Sequence, residues 1–209
     1  MITTSKPNIK DISVQIKSVF DNFFQAPIEA WEGFVKLGEV VNFKKEEVIK
    51  QSFSTEKYLY FILKGSGGIF LWNKNNSICL DICYENEFLG DYMSFLTQED
   101  SPIEVITFEP TVLFRISSAN FNQMSKENPL GINICRHAAE GLFIHKQKQQ
   151  IDILSKTPEE RYHDLQTKYP NVLQRTPQKY ISSYLGITPQ SLSRIRRRLT
   201  KEKLPKGNC

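Results

Sequence analysis

Three Thr-Pro dipeptides, at residues 157–158, 176–177 and 188–189, punctuate the final quarter of the chain. A threonine ahead of a helix accepts a hydrogen bond from a backbone N–H that has no partner inside the helix. Proline at the first helical position gives up only such an N–H, and its φ is already helical. Each Thr-Pro therefore reads as a helix start. Three of them predict three helices, over "PEERYHDLQTKYP", "PQKYISSYL" and "PQSLSRIRRRLTK". Glu160 completes a capping box with Thr157. Only Gly186 and Ile187 separate the last two helices, and a glycine after Leu185 is the residue type that ends a helix in a left-handed turn. Two helices joined this way make a helix-turn-helix.

Helical spacing sends Ile181, Leu185, Leu192, Ile195 and Leu199 inward. Pro189, Gln190, Ser191, Arg194, Arg197 and Arg198 are left outward on the second helix. Arginine offers a two-pronged donor to guanine, and glutamine a donor–acceptor pair to adenine. Thr176, Lys179, Thr188, Arg196 and Lys201 are the candidates for phosphate contacts, with Lys203 and the helix N-termini beside them. Charge agrees with this division. Residues 157–209 carry 11 Lys+Arg against 4 Asp+Glu, whereas the rest of the chain carries 16 against 19. A basic tail on a mildly acidic body calls for a polyanionic partner, here double-stranded DNA.

Between Glu39 and Ser117 the pattern is different. "EEVIKQSF", "KYLYFILKG", "GGIFLWNKNNSICLDICY", "PIEVITF" and "TVLFRIS" are short, rich in β-branched and aromatic residues, and separated by turn residues. A hairpin tip is expected at Asn73-Lys74-Asn75-Asn76 and a glycine-driven turn at 64–68. Such strands suit an antiparallel sandwich or roll. "IKDISVQIKSVFDNFF" and "PIEAWEGFVKL" upstream have helical apolar spacing and should pack on the sheet. After Ser117 a short helix ends near Pro129, and a long one follows. On it Leu130, Ile134, Ala138, Leu142 and His145 form one stripe, and Cys135, Ala139 and Phe143 a second. A helix apolar on two sides needs two partners: its own sheet, and a second copy of itself. Ile134, Ala138, Leu142 and His145 are therefore the expected dimer positions. The fold class is α+β, divided as a roll over 1–127, a dimerisation helix over 128–156 and a helix-turn-helix over 157–209.

Several roles are excluded by what the strands lack. Residues 39–117 contain no histidine, so they cannot build a cupin-type metal site, and no P-loop, nucleophile elbow or HExxH motif occurs. An enzyme is not expected, nor a bound metal. Cys79, Cys83, Cys135 and Cys209 lack finger spacing and read as reduced, mostly buried thiols. The longest apolar run, "YLYFIL", is too short to cross a membrane, and the N-terminus has no signal-peptide core. A cytoplasmic location is the expectation.

The roll, the long helix and "YLGITPQSLSRIRRRL" together resemble the Crp/Fnr family of bacterial transcription regulators. That resemblance implies a cyclic-nucleotide-binding-like roll, a dimer through the long helix, and a recognition helix in the major groove. It also implies a DNA operator as partner and RNA polymerase as a further one. Gln190, Ser191 and Arg194 fall on the family's base-reading positions, and Arg197 and Arg198 extend that set. Pro189 stands where the family commonly has a basic contact, so the operator should differ from the best-known one. Only ten residues follow Leu199, which implies an abbreviated winged-helix domain.

The effector site departs from the family. Its phosphate-binding cassette pairs Gly-Glu with Arg-Ser/Thr about ten residues later. Here Gly90-Asp91 supplies the first half, while Asp100-Ser101 stands where the arginine belongs. Gly90, Asp91, Tyr92 and Ser101 are the candidate effector pocket. No Lys or Arg occurs between Lys74 and Arg115. A buried phosphate facing these carboxylates without a cation would be costly. Cyclic AMP is thus not expected as a cofactor in the usual manner, and another small effector is left open. The alternatives are a cyclic-AMP-responsive member of the same family and a ligand-binding regulatory subunit acting through protein contacts. The second leaves the arginines of 194–198 without a role.

Overall fold

The structure is a computed structural model. It describes residues 3–5, 8–21, 24–74, 76–127 and 129–203, without the side chains of 3–5, 126, 127 and 200–203. The chain forms two compact units, residues 1–149 and 150–209.

The first unit is a roll of two antiparallel sheets. One has the order β1 (Thr3–Ser5), β2 (Glu39–Phe43), β9 (Thr111–Ser117), β4 (Tyr58–Lys64) and β7 (Phe88–Leu89). The other has the order β3 (Val48–Lys50), β8 (Ile103–Thr107), β5 (Gly67–Asn73) and β6 (Asn76–Cys83). The expected hairpin closes between β5 and β6, with Asn73 opposite Asn76; Asn75 at its tip lies outside the described residues. The strands β1, β2 and β7 match none of the strand segments read from the sequence.

Strand alternation splits the apolar residues between two cores. Val41, Phe43, Tyr60, Ile62, Leu89, Val105 and Leu113 meet inside the roll. Their neighbours Val40, Phe61, Phe114 and Ile116 face the other way, onto helices. α1 (Ile9–Phe20) and α2 (Ile28–Lys36) supply Ile12, Ile16, Trp31 and Val35 to that second core. α3 (Tyr92–Thr97) adds Phe95 and α4 (Ser118–Glu127) adds Phe121. The same alternation carries Arg115 inward. It lies directly opposite Glu39 on one side and Tyr60 on the other. Direct antiparallel partners share a face, so the inner surface of the roll ends in charge.

α5 (Pro129–Ser155) is the long helix expected from the sequence, and it begins at Pro129 itself. Its first turns are spent on the roll's own core: Ile134 is buried there, with Leu130, Cys135 and Ala138 packed beside it. His137 stacks on Phe24 at 4.8 Å. Further along, Lys146 pairs with Asp81 at 2.6 Å and Gln149 donates to the Leu80 carbonyl.

The second unit contains α6 (Pro158–Lys168), α7 (Val172–Arg175), α8 (Gln178–Leu185) and α9 (Pro189–Lys203). Tyr162, Leu165, Val172, Ile181, Leu185 and Leu192 are buried in it. Of the ten residues on which the abbreviated wing is expected, 200–203 continue α9 and 204–209 lie outside the described residues.

Candidate effector cavity and nucleic-acid interface

The cassette is closed by a residue from outside it. Gly90, at φ +149°, turns the chain so that Asp91 can cap α3, accepting from the Ser94 N–H at 3.1 Å. The other Asp91 oxygen accepts from the Ser101 hydroxyl and meets the Lys50 ammonium at 3.2 Å. Lys50 also donates to Ser101 Oγ at 3.1 Å and to the Ile103 carbonyl at 2.8 Å. A register shift between Val48 and Lys50 in β3 accompanies this inward turn, as bulges re-aim side chains. Lys50 and Asp91 side chains are 3% and 4% exposed. The expectation that these carboxylates meet no cation is therefore corrected: the cation comes from β3, far upstream in sequence.

Glu56 stands beside this pair, 2% exposed. Its carboxylate accepts from the Lys57, Tyr58 and Asp91 N–H groups. Burial nevertheless pushes its pKa up to about 7, against the opposing pull of those hydrogen bonds and of the Lys50 charge. Of the expected pocket residues, Gly90, Asp91 and Ser101 are gathered here. Tyr92 is not: it packs toward the helical core beside Phe95, because it opens α3 on the side that faces α5 residues such as Cys135. Asp100, in the arginine's place, is exposed and accepts from the Thr55 hydroxyl at 2.5 Å.

A cavity of about 230 Å³ does exist in the roll, but none of Gly90, Asp91, Tyr92 and Ser101 lines it. Lys50, Glu56, Lys57, Tyr58, Tyr60 and Arg115 do, with Phe43 behind them. The Arg115 guanidinium lies 4.0 Å from the Tyr58 ring centroid and grips Glu39 at 2.7 Å. Sequence reasoning missed Lys50, Glu56 and Arg115. The inward register of Arg115 was the one available signal.

In the second unit the caps largely follow the sequence. Thr157 and Glu160 form the reciprocal capping box. Gly186 is left-handed at φ 69°, and the N–H groups of Gly186 and Ile187 close back on Ser183 and Ser182. Thr188 accepts from the Ser191 N–H at 3.1 Å. Arg161 donates to the Tyr184 and Leu185 carbonyls, tying α6 to the end of α8.

The middle Thr-Pro behaves differently. Pro177 is the N-cap, extended at ψ 136°, and the helix starts at Gln178. Thr176 closes α7 and is 3% exposed, which withdraws it from the surface groups that could meet a phosphate. Gln190, Arg194 and Arg197 are exposed along α9, and Thr188 and Lys179 are exposed as well. Ser191 and Arg196 are half-buried. Arg198 is turned sideways onto Glu159 of α6, with Nε to Oε1 at 2.9 Å. The side chain of Lys201 lies outside the described residues.

Two stability measurements follow from the cassette. Lys50→Met leaves Asp91 buried without its cation and should cost about 3–5 kcal/mol in urea unfolding, with partial recovery in Lys50→Met/Asp91→Asn. For Glu56, the unfolded chain releases its proton near 4.5 and the folded chain near 7. Between those values the folded state holds the extra proton, so this group's contribution falls as pH rises from about 4.5 to about 7 and is level above. The drop is on the order of 3 kcal/mol. Glu56→Gln should flatten the pH dependence across that window; an unchanged slope would contradict the assignment.

Residues 40–128 match the family model of the cyclic nucleotide-binding domain. No curated protein matches the chain by sequence at a significant level. Among solved structures, FixK2 from Bradyrhizobium japonicum is similar, with a TM-score of 0.67 and 14% identity over 82% of this chain and 89% of that one. The c-di-GMP responsive global regulator CLP of Xanthomonas campestris gives 0.64 and 14%, over 88% and 96%. The catabolite activator protein of Thermus thermophilus gives 0.53 and 17%, over 88% and 87%. Residues 40–128 thus match the cyclic nucleotide-binding domain model, and the chain shares the fold of these solved structures.

Proposed function

We propose that the chain is a dimeric, sequence-specific DNA-binding transcription regulator and not an enzyme. The observation that carries this reading is the exposed row Gln190, Arg194 and Arg197 on α9, a helix started by Thr188 and set off from α8 by the left-handed Gly186. At about 100° per residue these three positions fall within about 60° of one another. They match a helix whose N-terminal side chains reach base edges in the major groove. Arg198 takes a different role here, bracing α9 on α6. Ser191, whose hydroxyl lies 3.1 Å from that of Thr188, serves the cap as well as any base. Lys179, Arg196 and the N-terminus of α9 are the phosphate contacts.

Dimerisation is proposed through α5, with a changed set of residues. Ile134 and Ala138 already serve the roll, and His145 is exposed beside a lysine. Phe143, Ile144, Ile151 and Leu154 are exposed on α5 at 68%, 53%, 55% and 80%, and Ile132 and Ile153 are exposed as well, at 46% and 51%. Helical geometry puts the first four within about 100° of one another, a stripe suited to a second copy of the same helix. Leu142, half-buried, borders it.

The roll is proposed not to take cyclic AMP in the usual manner, because Lys50 and Ser101 already satisfy Asp91. The other members of the family pattern, an operator in DNA and RNA polymerase as a contact, fit this reading.

Selection from pooled genomic fragments should return a defined two-half-site motif with centres about 34 Å apart. Its affinity should fall steeply with salt. Arg194→Ala should lose roughly 1–3 kcal/mol and relax base choice at one position of each half-site. Arg198→Ala should leave the selected motif unchanged while lowering the melting temperature. Binding with no sequence preference would overturn the reading. Ile151→Asp should convert the dimer to a monomer in sedimentation equilibrium; an unaltered mass would place the interface elsewhere.

A further inference from the structure

We propose that the ion pair between Glu159 and Arg198 sets the tilt of α9, and thereby how sharply Gln190, Arg194 and Arg197 discriminate between base sequences. Glu159 is a positioning residue in this role: it reads no base and acts through Arg198. The inference rests on the DNA-binding reading and adds to it a residue of α6 that controls specificity.

The turn between α8 and α9 does not hold the angle by itself. Gly186 is left-handed at φ 69°, and no neighbouring atom lies within 4 Å of where a Cβ would stand. Packing fixes the near end of α9: Leu192 is buried, as are Ile181 and Leu185 of α8. Farther along, burial falls off. Ile195 and Leu199, the next positions on the inward stripe, are only half-buried. In that same stretch Arg198 meets Glu159 through two nitrogens. Nε donates to Oε1 at 2.9 Å, and Nη2 pairs with Oε2. Two parallel bonds fix direction as well as distance, which a single contact does not.

α6 is a fixed base for this stop. Tyr162 and Leu165 are buried on its inner side, and Thr157 with Glu160 closes its first turn. Arg161 donates to the Tyr184 and Leu185 carbonyls at the end of α8. One helix therefore grips the pivot with Arg161 and the far part of α9 with Glu159.

The lever arm makes the second grip matter. Arg198 stands ten residues beyond Thr188, about 15 Å along the helix. A swing of about 10° about the turn would move Arg198 by about 2.6 Å and Arg194 by about 1.6 Å. The first breaks the bond to Glu159, and the second is more than a two-pronged contact to guanine tolerates. The pair also withholds Arg198 from phosphates, whose contacts add affinity without sequence information. Its two side chains are 58% and 31% exposed, so it contributes only modestly to stability. A specificity role and a merely structural one are therefore separable.

The test measures the affinity of the full chain for the duplex selected from genomic fragments and for a scrambled duplex of equal length, by fluorescence anisotropy at fixed salt. Taking their ratio cancels the general effect of adding or removing a charge near DNA. Glu159→Gln and Arg198→Gln should each lower that ratio about three- to tenfold, and the double variant should fall no further than either. Glu159→Gln should also bind the scrambled duplex about two- to fivefold more tightly, with a steeper salt dependence. The preferred motif stays the same, weakened at all positions alike, while melting temperatures shift by about 5 °C or less. A ratio within about twofold of the wild type in either single variant, additive losses in the double variant, or softening confined to one base pair would each overturn the inference. A wild-type chain that binds both duplexes equally would instead remove the DNA-binding reading on which it rests.

Discussion

The roll depends on one buried ion pair. Lys50 and Asp91 are both almost wholly out of water, a position that costs each ion several kcal/mol before pairing. The cost is offset because every donor of the ammonium is used. Asp91, Ser101 and the Ile103 carbonyl surround it, while Asp91 caps α3 with its second oxygen. One interaction thus joins β3, β8, the Gly90 turn and α3. It also fixes the 51–57 loop indirectly, since Ser101 belongs to both networks. Removing either ion would leave the other charged and buried, so the cluster behaves as a unit.

That closure divides the roll into two regions with different chemistry. Around Asp91 the polar groups are already mutually satisfied. At the open end, the inward register of β9 and β4 brings Arg115, Tyr58 and Tyr60 to the wall of the cavity. The sheet forces this outcome. Alternation that buries Leu113 and Ile62 must also turn Arg115 and Tyr60 inward, and Glu39 is the cross-strand partner that makes the arginine tolerable. In the second unit the organising contact is local instead. Arg161 holds the carbonyls that end α8, and Arg198 holds Glu159, so α8 and α9 are each tied to α6 while Gln190, Arg194 and Arg197 stay exposed.

What could be read from the sequence follows from how far each interaction reaches along the chain. Caps are formed within three or four residues, so Thr157 with Glu160 and Thr188 with Ser191 were legible. Strand alternation is local too, and β3, β4, β5, β6, β8 and β9 fall within the segments expected to be strands, whereas β2 and β7 do not. Thr176 shows the limit of a local sign. The same dipeptide follows a short helix, α7, whose closure claims the threonine, and Pro177 becomes the cap. Arg198 shows another: period alone puts it on the outer side, but its rim position lies within reach of Glu159. The cassette was beyond local reading altogether. Lys50 stands 51 positions before Ser101, and nothing near Asp91 in sequence signals its approach. Charge counted along 75–114 is accurate as arithmetic and misleading as electrostatics. The long helix was read as one continuous element with two apolar stripes. Packing consumed the N-terminal stripe within the roll and left later apolar side chains, from Phe143 to Leu154, exposed.

The central claim is that the cassette is already satisfied from within, by Lys50, and has no vacancy for a cyclic phosphate. Isothermal titration calorimetry of the full chain with cyclic AMP tests it most directly. The account predicts no saturable heat of binding up to millimolar nucleotide. Saturable binding at low-micromolar affinity, abolished by Ser101→Ala, would contradict it.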